Sequence, residues 1–225
     1  DKDFLISSGT ANTQNTWMDA KTYGIAATPR NGKVVEINSL WYNGLMIMAD
    51  LAEKFEEQPN TKKYKELARK CKKSFNAKFY NSKRKCLYDV ITDEKNKDGK
   101  IRPNQLFALS LTHPIVEPNS IEANNIINVV EKKLLNNYGL KTLAKGEPNY
   151  VDIYEGDAFK RDMSYHQGIT WTWLLELYYE ALKNMVKFEK RKTYKTKLET
   201  KLKDFVEKQK QVFEKEINQR GCVGS

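Results

Sequence analysis

Histidine, cysteine and long apolar runs are all scarce in this chain of 225 residues, and each scarcity removes a class of function. His113 and His166 are the only histidines, and Cys71, Cys86 and Cys222 form no close pair. A Cys/His zinc site therefore has too few ligands at usable spacing, and the odd cysteine count argues against a disulfide framework. Reduced thiols and a cytoplasmic setting are the expectation. No apolar run approaches the roughly 20 residues that cross a bilayer. The richest stretch, 169–182, is interrupted by Glu176 and Glu180. The opening Asp1-Lys2-Asp3 has neither an initiator methionine nor the layout of a signal peptide, which fits a cytoplasmic protein and equally a piece of a longer chain. No Gly-rich phosphate loop and no Ser-His-Asp order stands out. Residues 94–105 place Asn96, Asp98 and Gly99 at calcium-loop offsets, but the run starts with Glu94, ends with Gln105 and contains Pro103. No metal and no other cofactor is expected.

Charge, by contrast, is abundant. Lys and Arg outnumber Asp and Glu by 39 to 29, giving a net charge of +10. With 40% hydrophobic and 30% charged residues the composition is that of a folded globular protein, read here as a single domain, 1–225. The positive balance invites a nucleic-acid reading, but the lysines crowd 62–73, 83–100 and 183–215, interleaved with Glu as on solvated helix faces. No nucleic-acid motif accompanies them. A basic helical nucleic-acid adaptor is the remote alternative.

One spacing organises the chain. Segments 36–51, 101–111 and 165–177 are rich in aromatic and amide residues and poor in lysine, and their starts lie about 65 residues apart. Each precedes a Lys-rich amphipathic segment. In 61–80 the apolar residues Tyr64, Leu67, Ala68, Cys71, Phe75 and Phe79 make one helical stripe. The same holds for 120–137, with Ser120 placed to cap it, and for 194–218. Around Trp41 the apolar positions spread wider, so this segment is expected to be a helix buried on most sides. Alternating buried and half-exposed helices predict hairpins in two concentric layers, part of an (α/α) barrel. An ordinary helical bundle is the plainer alternative.

If the buried helices run the same way, their N-terminal ends share one mouth. Glu36 and Asn38 lead into Trp41 and Tyr42; Arg102, Asn104 and Gln105 open the second segment; Tyr165, His166 and Gln167 open the third, followed by Trp171 and Trp173. Sugars need such a lining, because flat rings stack on Trp and Tyr while hydroxyls bond to amides, Arg and carboxylates. Taken singly, each amide could cap a helix and each tryptophan could fill core.

These residues also fall in motifs. Asn15-Thr16-Trp17-Met18-Asp19-Ala20, Thr28-Pro29-Arg30, Val35-Glu36-Ile37-Asn38, Leu40-Trp41-Tyr42-Asn43, Ile101-Arg102-Pro103-Asn104-Gln105, Gly139-Leu140-Lys141-Thr142-Leu143, Tyr154-Glu155-Gly156-Asp157 and Tyr165-His166-Gln167-Gly168 occur in that order. As a set they resemble the amylo-α-1,6-glucosidase domain of glycogen debranching enzymes, over nearly the whole chain.

The resemblance implies an all-α fold: part of an (α/α)6 toroid of alternating inner and outer helices, incomplete in this chain. It implies inverting hydrolysis of α-1,6-linked glucose at branch points of glycogen or limit dextrin. Asp19 lands on the family's general acid. An acid must stay protonated near neutral pH, so Asp19 is expected to be buried beside Trp17. Inversion needs a second carboxylate about 6.5–9.5 Å away to activate water. In the family this base follows the Gly-Cys-Val-Gly run at 221–224, so it is expected beyond Ser225 and the chain alone is expected to hydrolyse negligibly. Glu36, Asp157 and Asp162 are assigned to hydroxyl binding or structure. The substrate-binding set is Trp17, Arg30, Glu36, Asn38, Trp41, Tyr42, Arg102, Asn104, Gln105, Tyr165, His166, Gln167 and Trp171. For Arg30 a tie to a carboxylate is the favoured alternative; for His166 a sugar contact is favoured over a satisfied core histidine. The expected partners are α-glucan and the remainder of the parent chain, with no nucleic acid and no membrane. A scaffold that binds α-glucan without cutting it is the other alternative.

Overall fold

The computed structural model describes residues 1–10 and 12–222, and it is mostly helical. The strands are two residues each. β1 (Lys21–Thr22) and β2 (Ile25–Ala26) form a hairpin, and β3 (Lys33–Val34) leads directly into helix α1 (Val35–Lys54). Helix α2 (Gln58–Phe79) is followed by the β4 (Tyr80–Asn81) and β5 (Cys86–Leu87) pair. β6 (Val90–Ile91) lies between β3 and β7 (Lys97–Asp98). A 3-10 turn (Pro103–Leu106), α3 (Phe107–Ser110) and α4 (Ile121–Lys133) come next. β8 (Leu140–Lys141) pairs with β9 (Thr170–Trp171) across α5 (Ala158–Ser164), and α6 (Leu174–Phe188) and α7 (Lys192–Arg220) complete the chain.

The expected stripes build the core. α2 buries Ala68, Cys71, Phe75 and Phe79, with the two phenylalanine rings stacked at 4.4 Å. They pack with Leu106 and Leu109 after the 3-10 turn, Ile126 and Val130 of α4, and Leu182 of α6. Full burial of each such side chain contributes about 1.5–3 kcal/mol. Ser120 caps α4 as the sequence indicates, accepting a hydrogen bond from the Ala123 amide at 3.0 Å. Burial pushes the Cys71 and Cys86 thiols up to about 12 and about 11, so both are inert core residues. No helix among the described residues is long and apolar enough to cross a membrane.

Several expectations need correction. Segment 101–111 is not a long helix: Pro103 opens a 3-10 turn, and only short helical turns form from Pro103 to Ser110 before Leu111 turns extended. Segment 165–177 is broken as well. Gly168 at φ 147° ends the run after His166, and Thr170 and Trp171 are drawn into pairing with Lys141 and Leu140. Tyr165, His166 and Gln167 therefore follow the C-terminus of α5 instead of opening an inner helix. α1 is not buried on most sides: Val35, Tyr42, Leu45 and Ala49 are covered by α2 and its neighbours, while Leu40, Trp41, Ile47, Met48 and Leu51 are exposed. The Gly-Cys-Val-Gly run reaches residues 223–224, which lie outside the described residues.

Candidate active site

The site grows from a plug. Met18 is buried under the loop before β1, and its sulfur accepts weak contacts from Arg102 Nη1 (3.7 Å) and Asn104 Nδ2 (3.6 Å). Its neighbours Trp17 and Asp19 are thereby held at the rim. The Trp17 indole donates from Nε1 to Asn104 Oδ1 at 2.8 Å, fixing the ring plane across 87 residues of sequence.

Around Trp17 gathers an aromatic nest. His166 meets it edge-on with ring centres 5.0 Å apart, Trp173 does the same at 5.0 Å, and Trp171 lies 6.5 Å away. Tyr165 stands edge-on to Trp171 and to His166 at 4.9 and 4.8 Å. Trp171 Nε1 donates to the Tyr165 carbonyl, which locks β9 to the turn after α5.

Asp19 lies at this nest, its Oδ1 3.9 Å from His166 Nε2. That is too long for a hydrogen bond, and both His166 ring nitrogens lack a partner among the described residues although the side chain is 2% exposed. Burial pushes the His166 pKa down to about 4, against the pull of the Asp19 carboxylate; the nearby Arg102 and Arg30 charges push the same way as burial. At neutral pH the imidazole is uncharged, with one donor and one acceptor free. The expected burial of Asp19 is not found. Its side chain is 67% exposed, because Met18 takes the inward position and the next side chain points out.

Beneath the nest is a buried ionic clamp. Arg30 donates from Nε and Nη2 to Asp89 at 2.8 and 2.9 Å, and from Nη1 and Nη2 to both carboxylate oxygens of Glu36, the second at 2.7 Å. The two carboxylates hold the guanidinium firmly charged despite its burial. Asp89 also accepts from Asn104 Nδ2 at 2.9 Å. Arg102 donates to the carbonyls of Thr142 and His166, at 3.0 and 2.6 Å, and to Gln167 Oε1 at 2.8 Å. Gln167 Nε2 in turn donates to the Ala27 carbonyl at 2.7 Å, tying the β1–β2 hairpin to the turn after α5. Burial lowers the pKa of Arg102, and the like charge of Arg30 adds to this.

The structure thus brings together Trp17, Asp19, Arg102, Asn104, Tyr165, His166, Gln167 and Trp171. Other residues named from sequence are consumed internally. Arg30 and Glu36 bond each other, in keeping with the structural alternative for Arg30. Asn38 spans the Ile6 backbone and the Val34 carbonyl, and Gln105 joins the Leu87 amide to the Arg102 carbonyl. Trp41 donates to the Phe4 carbonyl and Tyr42 lies under the Lys72 ammonium, so both serve the N-terminal segment and the α1–α2 packing. Sequence reasoning gave no role to Asp89 or Thr142. A lone carboxylate inside the apolar run 86–91 was the available signal for the first; Thr142 carries none, since it acts through its carbonyl and by accepting from the Gly168 amide at 2.9 Å.

The chain is mostly helical and sets an exposed carboxylate against an aromatic nest with unused hydrogen-bonding groups. Residues 1–220 match the amylo-alpha-1,6-glucosidase family, and the chain belongs to it. The glycogen debranching enzyme of Saccharomyces cerevisiae is 26% identical over 79% of this chain; the chain spans about 14% of that protein's length.

Proposed function

We propose that this chain supplies the acid side of an inverting glycosidase that removes α-1,6-linked glucose at glycogen or limit-dextrin branch points. What carries the reading is the juxtaposition of Asp19 with the neutral, unpartnered His166 inside the Trp17, Tyr165 and Trp171 nest. Asp19 protonates the departing glycosidic oxygen, and His166 bonds a sugar hydroxyl. Trp17 and Trp171 stack on the ring. Asp19 is exposed in the free chain; covering by glucan and by further helices of the toroid would desolvate it, an environment that disfavours the charged form and suits a general acid. Glu36 and Asp89 are both held by Arg30. The water-activating carboxylate is accordingly assigned, with the family, to sequence after Ser225. Buried reduced cysteines suit a cytoplasmic enzyme.

The test is glucose release from phosphorylase limit dextrin by the parent-length protein. Asp19→Asn is expected to lower the rate about 10²–10⁴-fold, the range of general acid catalysis. Wild-type turnover by Asp19→Asn refutes the assignment. The exposed state of Asp19 also favours a second reading, a chain that holds α-glucan without cutting it. Quenching of Trp17 and Trp171 fluorescence by maltose, with no hydrolysis by the parent protein, selects that reading. Salt-sensitive retention on heparin with no α-glucan affinity selects the nucleic-acid adaptor instead.

A further inference from the structure

The β1–β2 hairpin carries a residue that its turn does not want. Thr22 pairs with Ile25, leaving Tyr23 and Gly24 as a two-residue turn with φ 46° and 79°. Both values are positive, as the primed hairpin turns require, and such turns favour Asn, Asp or Gly at the first position. A tyrosine there costs about 1–2 kcal/mol of backbone strain. Packing does not repay it, because Tyr23 is 85% exposed. Its ring stacks on Phe159 of α5, with centres 6.0 Å apart and planes 29° from parallel, and Phe159 is itself exposed, as is Ile25. Strain held at an exposed aromatic marks a functional surface.

We propose that Tyr23 and Phe159 form an outlying subsite for an α-glucan chain, a platform on which glucose units remote from the cleaved linkage rest. This deepens the reading given above and rests on it. Continuity with the candidate site selects the occupant. Asp19 is four residues before Tyr23, within about 13 Å along an extended strand. Phe159 lies six residues before Tyr165, roughly 9 Å along a helix axis. The residue after the hairpin, Ala27, is bonded to Gln167 beside His166, so the hairpin base is tied to the nest. Flat exposed rings beside a nest with free hydrogen-bonding groups suit a sugar polymer that runs from one to the other.

The experiment titrates the parent-length protein with maltose and with maltoheptaose by calorimetry. Maltose reaches only the nest, whereas maltoheptaose reaches both surfaces. Tyr23→Asn is expected to weaken maltoheptaose about three- to tenfold, the scale of one lost aromatic stack, and to leave maltose unchanged. The same variant is expected to melt higher than wild type, since Asn accepts the positive φ; lost binding then cannot reflect lost folding. Tyr23→Phe retains the affinity. Unchanged maltoheptaose affinity in Tyr23→Asn, with maltose still bound, overturns the platform alone. Failure of the wild type to bind either sugar overturns the glucan reading and the platform together. If Tyr23→Asn instead abolishes self-association seen by sedimentation, leaving sugar affinity intact, a second copy occupies the surface and the proposal is overturned.

Discussion

Replacing Arg30 with methionine removes one guanidinium, strands the Glu36 carboxylate and leaves Asp89 to Arg102 and Asn104. The side chains of Arg30, Glu36 and Asp89 are each 2% exposed, so neither acid can turn to solvent. Breaking a buried ion pair by deleting one partner costs about 3–5 kcal/mol, because the remaining charge is desolvated without compensation. Glu36 loses both its bonds, whereas Asp89 keeps the Arg102 guanidinium at 3.7 Å and the Asn104 amide, which places the loss within that range and not above it. A domain of this size loses roughly 2–4 °C of Tm per kcal/mol, so Arg30→Met is expected to melt about 6–20 °C lower. Circular dichroism melts at neutral pH measure it. Raising the salt to about 1 M is expected to leave the difference intact, since screening reaches exposed charges far more than buried ones. Arg30→Lys recovers only part of the loss, as one ammonium cannot make two forked bonds. Adding Glu36→Gln to Arg30→Met relieves one stranded charge and raises Tm again. A drop of less than about 4 °C for Arg30→Met, roughly 1 kcal/mol, refutes the view that this clamp holds the floor of the site.

Three further outcomes follow from the same geometry. His166 is neutral when folded, with its pKa near 4, whereas an unfolded histidine takes a proton near pH 6.5. The unfolded state binds more protons between those values, so the associated stability is fully present above pH 6.5 and lost as pH falls towards 4. Between pH 7 and 4.5, urea titrations of the wild type should lose about 2 kcal/mol more than those of His166→Gln; equal losses contradict it. Gly168 has φ +147°, and a Cβ there would meet the Val151 carbonyl oxygen at 2.5 Å, so Gly168→Ala should destabilise by about 2–4 kcal/mol and disturb tryptophan fluorescence from Trp171. A melt within two or so degrees of wild type would show that the turn can relax. Phe75 is fully buried and stacked on Phe79; Phe75→Ala should cost about 3–5 kcal/mol by chemical denaturation, and a cost below about 1 would mean that the core closes over the gap.

The parts of the molecule that could be read from sequence are those governed by local period. The α2 stripe from Tyr64 to Phe79 and the Ser120 cap depend on neighbours within a turn or two, and both are found in place. Motif likeness carried the family and put Trp17, Asp19, Tyr165 and His166 on one list. Backbone details were illegible because they depend on distant partners. Trp171 belongs to a strand only because Leu140 is there to pair with it. Gly168 breaks the predicted helix because its amide is taken by Thr142 and its φ is fixed by the packing against Val151. The fate of the polar residues was equally non-local. Whether Arg30 meets a ligand or an acid is decided by Asp89, 59 positions away, and whether Trp41 is covered depends on what lies beyond α1. Burial of Asp19 was expected from the chemistry of an acid, but side-chain alternation around Met18 sets its exposure.

The hydrogen bond from Gln167 to the Ala27 carbonyl joins positions separated by 140 residues. Contacts of such separation are slow to close, whereas the α1–α2 hairpin can form from neighbours. During synthesis the nest cannot exist until residue 167 has left the ribosome, long after Asp19 and Trp17 have emerged. For that interval the Trp17 ring has no Trp171 or His166 to lie against, and a nascent chain halted anywhere before α6 presents it bare to chaperones.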